Sequence, residues 1–302
     1  MIECVPNFSE GRDPAKIEAI EQAIASVNGT LVLHRTSDVD HNRTVITFAG
    51  AASGVKESAF RAAAAALEQI DLQVHRGVHP RLGALDVLPF IPLQGATLET
   101  CVELAHETGE RIWRELHIPV YFYEAAAMRP DRRKLEDVRR TGFEGLRESS
   151  LKDSSKRPDI GGPGLHPTAG AVIVGARKFL IAFNINLRTS DLKLAKNIAR
   201  SIRTSSGGLP AVKALGLPLE TRGLVQVSMN LTDFEQTGID AVYLEVSRMA
   251  AQHGVEICES ELIGLVPREA LEQAAARLLK LAHFDSGSVI ETRIDAIRSD
   301  LA

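Results

Sequence analysis

Ala171-Val172-Ile173-Val174-Gly175-Ala176-Arg177-Lys178-Phe179-Leu180-Ile181-Ala182-Phe183-Asn184-Ile185-Asn186 decides the fold. Two apolar, β-branched runs, Ala171–Val174 and Phe179–Asn186, bracket Gly175–Lys178 in a hairpin-like arrangement. Downstream, Ser190 or Asp191 starts a helix to about Arg203, and Val212–Leu215 and Leu224–Leu231 read as strands. A helix over Gly238–His253, a strand over Glu256–Ile263 and a helix over Arg268–Leu281 complete the second half. Upstream, Ile2–Pro6 is a short strand, and Asp13 and Pro14 suit the N-cap and first position of a helix to about Ser26. Thr30–His34 and Thr44–Phe48 are strands around a polar loop, Thr36–Arg43. Ser53 caps an alanine-rich helix, Val55–Ile70, followed by strand Leu85–Ile91, helix Leu98–Leu116 and strand Val120–Tyr123. Each half therefore spells β-α-β-β-α-β with additions. The expected class is α+β, a tandem duplication of two ferredoxin-like sandwiches, residues 1–178 and 179–302.

The stretch Arg129–Gly164 breaks this rhythm. It is dense in Arg, Lys, Asp and Ser and then turns to Gly and Pro, so apart from a helical piece at Leu135–Arg140 it reads as a long surface excursion. Its part Arg129–Lys156 is a solvated charged face or, as the alternative, a partner-docking segment.

Bulk properties remove several function classes. A net charge of −4 does not suit a general polyanion binder, although a local basic cluster would serve a small anionic ligand. Cys4, Cys101 and Cys258 are odd in number, far apart and in no CxxC pair, which disfavours a disulfide framework or a zinc site. No basic n-region or long apolar stretch opens the chain, and its apolar runs are far short of a membrane span. A cytoplasmic protein is expected.

Reactive side chains gather in two loops. One is Asp38-Val39-Asp40-His41-Asn42-Arg43-Thr44, and the other is His75-Arg76-Gly77-Val78-His79-Pro80-Arg81-Leu82-Gly83-Ala84-Leu85-Asp86. Pro80 pushes His79 towards an extended geometry, and Arg76 and Arg81 beside it disfavour the imidazolium, which keeps a neutral imidazole for general-base work. The plainer reading is a surface-loop histidine. Asp40 or Asp38 would orient a histidine or stabilise a developing cation, or else serve as a turn residue bonding its own backbone. A metal centre built on His34, His41, His75, His79, Asp38 and Asp40 matches no helical His motif, and the interleaved arginines oppose a cation. Gly161-Gly162-Pro163-Gly164-Leu165-His166-Pro167-Thr168-Ala169-Gly170 would let a flat ligand or an anion reach backbone N–H groups, or act as a hinge. Three classes stay open on the residues alone: a soluble enzyme with a His/Asp/Arg/Gly loop site, a metal-dependent amidohydrolase, and a non-catalytic small-molecule sensor.

Longer motifs narrow the choice. Glu3-Cys4-Val5-Pro6-Asn7-Phe8-Ser9-Glu10-Gly11, Asn42-Arg43-Thr44-Val45 and His79-Pro80-Arg81-Leu82-Gly83-Ala84-Leu85-Asp86-Val87 resemble the glutamate formimidoyltransferases, the formiminotransferase part of formimidoyltransferase-cyclodeaminase. Gly175–Leu187, Gln226–Leu231 and Leu262–Pro267 extend the resemblance over nearly the whole chain. It implies two formiminotransferase subdomains with a folate groove between them, a homodimer, and tetrahydrofolate as co-substrate with no metal. The reaction it implies moves a formimidoyl group between N-formimidoyl-L-glutamate and tetrahydrofolate, in histidine degradation and one-carbon metabolism. It places the catalytic histidine on His79 and a folate-binding loop on Gly161–Gly170. Arg43, Arg76 or Arg81 would hold carboxylates, with Asn42 beside them, and Asn184 or Asn186 would bond the pterin edge. Because the sequence stops at Ala302, a free-standing transferase is expected, its product passing to a separate cyclodeaminase.

Overall fold

A computed structural model describes residues 1–78 and 80–300, the last five of these by their backbone alone. The chain divides into two compact units, Met1–Lys178 and Phe179–Ala302.

The first unit opens with one strand broken in two, β1 (Ile2–Cys4) and β2 (Asn7–Phe8). Helix α1 (Pro14–Ala25) begins where the sequence says it should: the Asp13 carboxylate accepts from the N–H groups of Ala15 and Lys16, and Pro14 needs no partner at the first turn. Strands β3 (Thr30–Asp38) and β4 (Arg43–Gly50) form a hairpin with a much shorter turn than Thr36–Arg43, because pairing continues down to Asp38 opposite Arg43. Helix α2 (Ala52–Gln69) starts earlier than expected, and Ser53 does not cap it; its N-cap is Ala51, which makes no side-chain bond. Strand β5 (Leu85–Pro92) closes the motif. The broken strand lies between β4 and β5, antiparallel to both, with β3 outside β4. That spatial order is the ferredoxin-like one.

Two further strands widen this sheet. Helix α3 (Leu98–Leu116) leads to β6 (Val120–Glu124), and β7 (Val172–Ala176) inserts between β5 and β6, parallel to each. The hairpin expected over Ala171–Asn186 is therefore absent: β7 belongs to the first sheet, and the following strand belongs to the second unit. The physical reason is burial on both faces. Every residue of β7 is buried, as a parallel central strand requires, whereas a hairpin strand usually leaves one face wet. One sheet face packs Phe48, Leu88, Phe90, Phe122, Val172 and Val174 against the apolar sides of α1, α2 and α3.

The other face is covered by part of the charged excursion. Besides α4 (Leu135–Val138), this segment holds a helix that the sequence reading left irregular, α5 (Gly142–Lys152). Its buried Phe143, Leu146 and Ser150 recur at helical spacing. Leu146 and Val138 pack with Val87, Tyr121, Tyr123 and Ile173.

In the second unit β8 (Ile181–Leu187), α6 (Leu192–Ile202), β9 (Val212–Leu219), β10 (Leu224–Leu231), α7 (Ile239–Gln252) and β11 (Ile257–Ile263) follow in order. The sheet order β11-β8-β10-β9, antiparallel throughout, is again ferredoxin-like. Helices α8 (Arg268–Leu278) and α9 (Ile290–Asp300) follow. Phe183, Ile185, Leu187, Val225, Val227 and Met229 point into the helices, and the alternate residues form the opposite sheet face.

Candidate active site

Three segments of the first unit interlock at one end of the sheet. Ser9 is held from both sides, its N–H donating to Ala84 O at 2.9 Å and its hydroxyl to Gly83 O at 2.7 Å. Glu10 turns inward and accepts from the backbone N–H groups of Arg12 (2.8 Å) and Asp13 (3.0 Å), while Thr44 Oγ1 donates to Glu10 O. Asn42 links all three segments. Its Oδ1 accepts from Gly11 N–H (2.8 Å), its Nδ2 donates to Arg76 O (3.0 Å), and its own carbonyl accepts from His75 Nε2 at 2.9 Å. Gly77 lies so close that a Cβ there would meet His41 O at 2.3 Å, so no other residue fits without moving the strand turn.

Bonding to a carbonyl fixes Nε2 of His75 as the protonated nitrogen. Burial pushes its pKa below the usual histidine value, so the ring is neutral at pH 7. His34 and His41 are elsewhere engaged: Thr36 Oγ1 lies 3.3 Å from His34 Nδ1, and His41 pairs with Asp38 through Nδ1 (3.0 Å) and its backbone N–H (2.7 Å). Among the described residues no group of three or more His, Cys, Asp or Glu side chains is placed to hold a metal ion.

The two candidate carboxylates have different surroundings. Asp38 is half-exposed, and the His41 N–H, with the His41 ring behind it, holds its carboxyl below the usual range. Asp40 follows on the turn and offers its carbonyl to Val78 N–H at 3.4 Å. That bond fastens the residue just before His79, which itself lies outside the described residues.

The arginines divide as well. Arg43 is largely buried, with Asp86 and Arg139 as its charged neighbours, and burial lowers its pKa. Arg76 is exposed and donates to the carbonyls of Gln73 and His75. Arg81 is committed: Nη2 donates to Glu144 Oε1 (2.8 Å), His75 O (3.2 Å) and Leu72 O (3.3 Å). A cavity of about 810 Å³ opens beside Asn42, lined among others by Ser9, Glu10, Arg12, His75, Arg76 and Thr168.

Thr168 brings the glycine-rich loop to this end of the sheet, where its carbonyl accepts from Leu72 N–H at 2.8 Å. Residues His166 to Gly170 make a tight turn closed by two backbone bonds, with Ala169 N–H donating to His166 Nδ1 at 3.0 Å. Pro167 O accepts from Gln73. Further back, Gly161 has φ +81° and lies against the Trp113 ring, Gly162 precedes a cis bond to Pro163, and Gly164 and Leu165 lead into the turn.

Asn184 and Asn186 lie on the second unit and are described there alone. Asn186 is fully buried, donating Nδ2 to Glu259 (3.0 Å) and Glu261 (2.9 Å) and accepting from Gln226 (2.9 Å). Arg222 pairs with the same two carboxylates. Asn184 shares this sheet face, in register with Ser228 and Glu261. The sequence reading missed Ser9, Glu10, Asp86, Gln226, Glu259 and Glu261. Asp86 stood inside a quoted motif, and the alternation of Glu259 and Glu261 on one strand was a period-2 signal.

Comparisons with known proteins identify the family. Residues 1–177 match the formiminotransferase domain, N-terminal subdomain, and residues 182–293 match the formiminotransferase domain. The chain is 47% identical to a glutamate formimidoyltransferase of Thermoplasma acidophilum, over 98% of this chain and 97% of that one. It is 42% identical to one of Streptococcus pyogenes, over 94% and 95%. The formimidoyltransferase-cyclodeaminase of Sus scrofa is 44% identical over 91% of this chain and 52% of its own length. Two adjoining family matches and near full-length identity put the conclusion beyond the motifs alone: the chain belongs to the formiminotransferase family.

Proposed function

We propose that this protein is a glutamate formimidoyltransferase, exchanging a formimidoyl group between N-formimidoyl-L-glutamate and tetrahydrofolate. The observation that carries this reading is the near full-length identity to relatives bearing that name. N5 of tetrahydrofolate attacks the formimidoyl carbon, and the C=N electron pair moves onto nitrogen to give a tetrahedral intermediate. His79 takes the N5 proton. It returns that proton to the glutamate nitrogen as the old C–N bond breaks, leaving L-glutamate and 5-formimidoyltetrahydrofolate. Asp40 is the carboxylate we assign beside the amidinium, because Asp38 is already engaged by His41. The exposed Arg76 suits a substrate carboxylate better than Arg81, whose fork is spent on Glu144 and two carbonyls. Gly161–Gly170 supplies the folate contacts in this proposal; Asn186 leaves the set expected from the sequence, because it is fully buried and its amide is spent on Glu259, Glu261 and Gln226. A cytoplasmic homodimer whose folate product is consumed by a ring-closing cyclodeaminase completes it.

His79→Ala tests the base. Transfer from formimidoylglutamate to tetrahydrofolate should fall about 10²–10⁴-fold with folding intact; a loss well under tenfold sinks the assignment. Activity should survive EDTA, whereas chelator sensitivity would revive the metal-dependent hydrolase.

A further inference from the structure

Arg132 ties together the two ends of the charged excursion. It stands on a single 3₁₀ turn, Pro130–Arg132, near the segment's start and is 4% exposed. Its guanidinium lies 4.9 Å over the Tyr121 ring and reaches residues 155–159 near the far end. There Nη2 donates to Ser155 O (3.2 Å) and to Arg157 O, and Nη1 pairs with Asp159 Oδ1, both side chains being buried. The other oxygen of Asp159 accepts from Phe122 N–H at 2.8 Å, and the Tyr121 hydroxyl donates to Lys156 O at 2.7 Å. Val120 completes the join: its N–H donates to Ile160 O (2.9 Å), and its carbonyl accepts from Asp159 N–H (2.9 Å) and Ile160 N–H (3.2 Å). Strand β6 lies at the edge of its sheet, so these bonds fasten residues 156–160 to that edge, and Gly161 follows at once.

Gly161, Gly162 and Gly164 have no side chains to set their own path, and the first two hold φ +81° and +99°. The loop's shape therefore comes from its ends. On the far side, Thr168 O and Ala169 O accept from the N–H groups of Leu72 and Ala84. On the near side the fixed points are Asp159, Ile160 and the Trp113 ring, which a Cβ on Gly161 would meet at 2.7 Å. We infer that Arg132 and Asp159 are positioning residues for folate binding, holding residues 161–164 in the shape that receives it. This rests on the reading of Gly161–Gly170 as the folate loop. Both residues lie outside that loop and act through the backbone of residues 155–160. Removing the Arg132 guanidinium leaves Arg129 on Ser155 O and Phe122 N–H on Asp159. It takes a donor from Arg157 O and the paired cation from Asp159, so the segment loosens without being released. A loop held ready binds without an ordering cost, so its loosening is felt in affinity rather than in the chemical step.

The test uses the full chain with Arg132→Ala, Arg132→Lys and Asp159→Asn, and tetrahydrofolate as the probe under anaerobic conditions. In Arg132→Ala, KM and the calorimetric Kd for tetrahydrofolate should rise about tenfold or more. Its kcat should stay within about threefold and its KM for formimidoylglutamate within about twofold. Arg132→Lys, which restores the charge without the fork, should lie between the two. Trp113 is the one tryptophan of the chain, and its emission without ligand should shift to the red in Arg132→Ala as Gly161 leaves the indole. A folded Arg132→Ala with unmoved emission and Kd within twofold overturns the inference, as does a loss shared equally by both substrates and kcat. If Arg132→Ala does not fold, Asp159→Asn, which keeps an oxygen for Phe122 N–H but removes the charge, is judged by the same readouts. Failure of both to fold would make the pair a folding element and overturn the inference too. An emission shift with unchanged tetrahydrofolate affinity would defeat the inference together with the loop assignment, leaving the transfer reaction standing. Absence of transfer by a native chain that still binds tetrahydrofolate would defeat the proposed function, while the affinity and emission readouts would still decide the inference.

Discussion

Asn42 shows how one side chain organises the candidate site. It occupies a left-handed backbone conformation, φ +48°, which asparagine tolerates better than most residues, and it is 6% exposed. Asn42→Ala would orphan Gly11 N–H and Arg76 O while keeping the backbone strain. It should cost about 3 kcal/mol in urea unfolding. Asn42→Asp, which keeps the acceptor for Gly11, should cost visibly less, and equal losses would mean the side-chain bonds contribute little. Glu3 gives a pH prediction. It is 4% exposed on β1, and burial pushes its carboxyl up to about 7, with Arg177 pulling the other way. The native chain therefore keeps a proton that the unfolded chain releases near 4.5, so stability falls as pH rises from about 4.5 to about 7. Glu3→Gln should be the more stable form at pH 8, by up to about 3 kcal/mol, with the gain vanishing near pH 4.5. Parallel melting curves across this range check the sign. Asn42 was legible as a site residue because it sits in a motif; the burial of Glu3 was not, since a strand of three residues does not show which face is covered.

Elements were legible where local chemistry marks both ends. Asp13-Pro14 announced α1, and the left-handed His117 follows α3 at the boundary expected after Leu116. Where the reading failed, tertiary context decided. Gly175–Lys178 looked like a hairpin turn, yet the uninterrupted apolar run before it was the mark of a strand covered on both faces and paired in parallel. Helix α5 was hidden by Gly142 and Gly145, which depress helix propensity, and by charges that read as a solvated surface, while three residues at helical spacing anchor it to the sheet. Phe143 is 2% exposed and should be its principal anchor. Phe143→Ala is expected to destabilise the chain by about 3–5 kcal/mol, measured by denaturant midpoint at constant m-value. Were α5 merely a solvated face, the change would stay within about 0.5 kcal/mol.

At the scale of the molecule, the doubled β-α-β-β-α-β pattern was the strongest signal, because each half repeats the same alternation with its own apolar faces. What the pattern did not show is how unequal the halves are. The second unit closes its sheet with its own four strands. Its core is drawn from Ile181 to Ala274, and the Asn186, Gln226, Glu259 and Glu261 network is satisfied among its own residues. A segment with a complete core and no borrowed strand can fold alone. Phe179–Ala302 should therefore give a soluble fragment with a single cooperative urea transition. The first unit depends on its last element, since among the described residues β7 joins β5 to β6 in that sheet's order. Met1–Lys178 should fold, whereas Met1–Gly170, which lacks β7, would expose the flanking strand edges and the apolar faces packed on Val172, Ile173 and Val174. The shorter fragment should aggregate or show no cooperative transition. Equal folding of the two would mean that β7 is dispensable to the first sheet, and the parallel pairing with β5 and β6 would lose its claim to hold that sheet together.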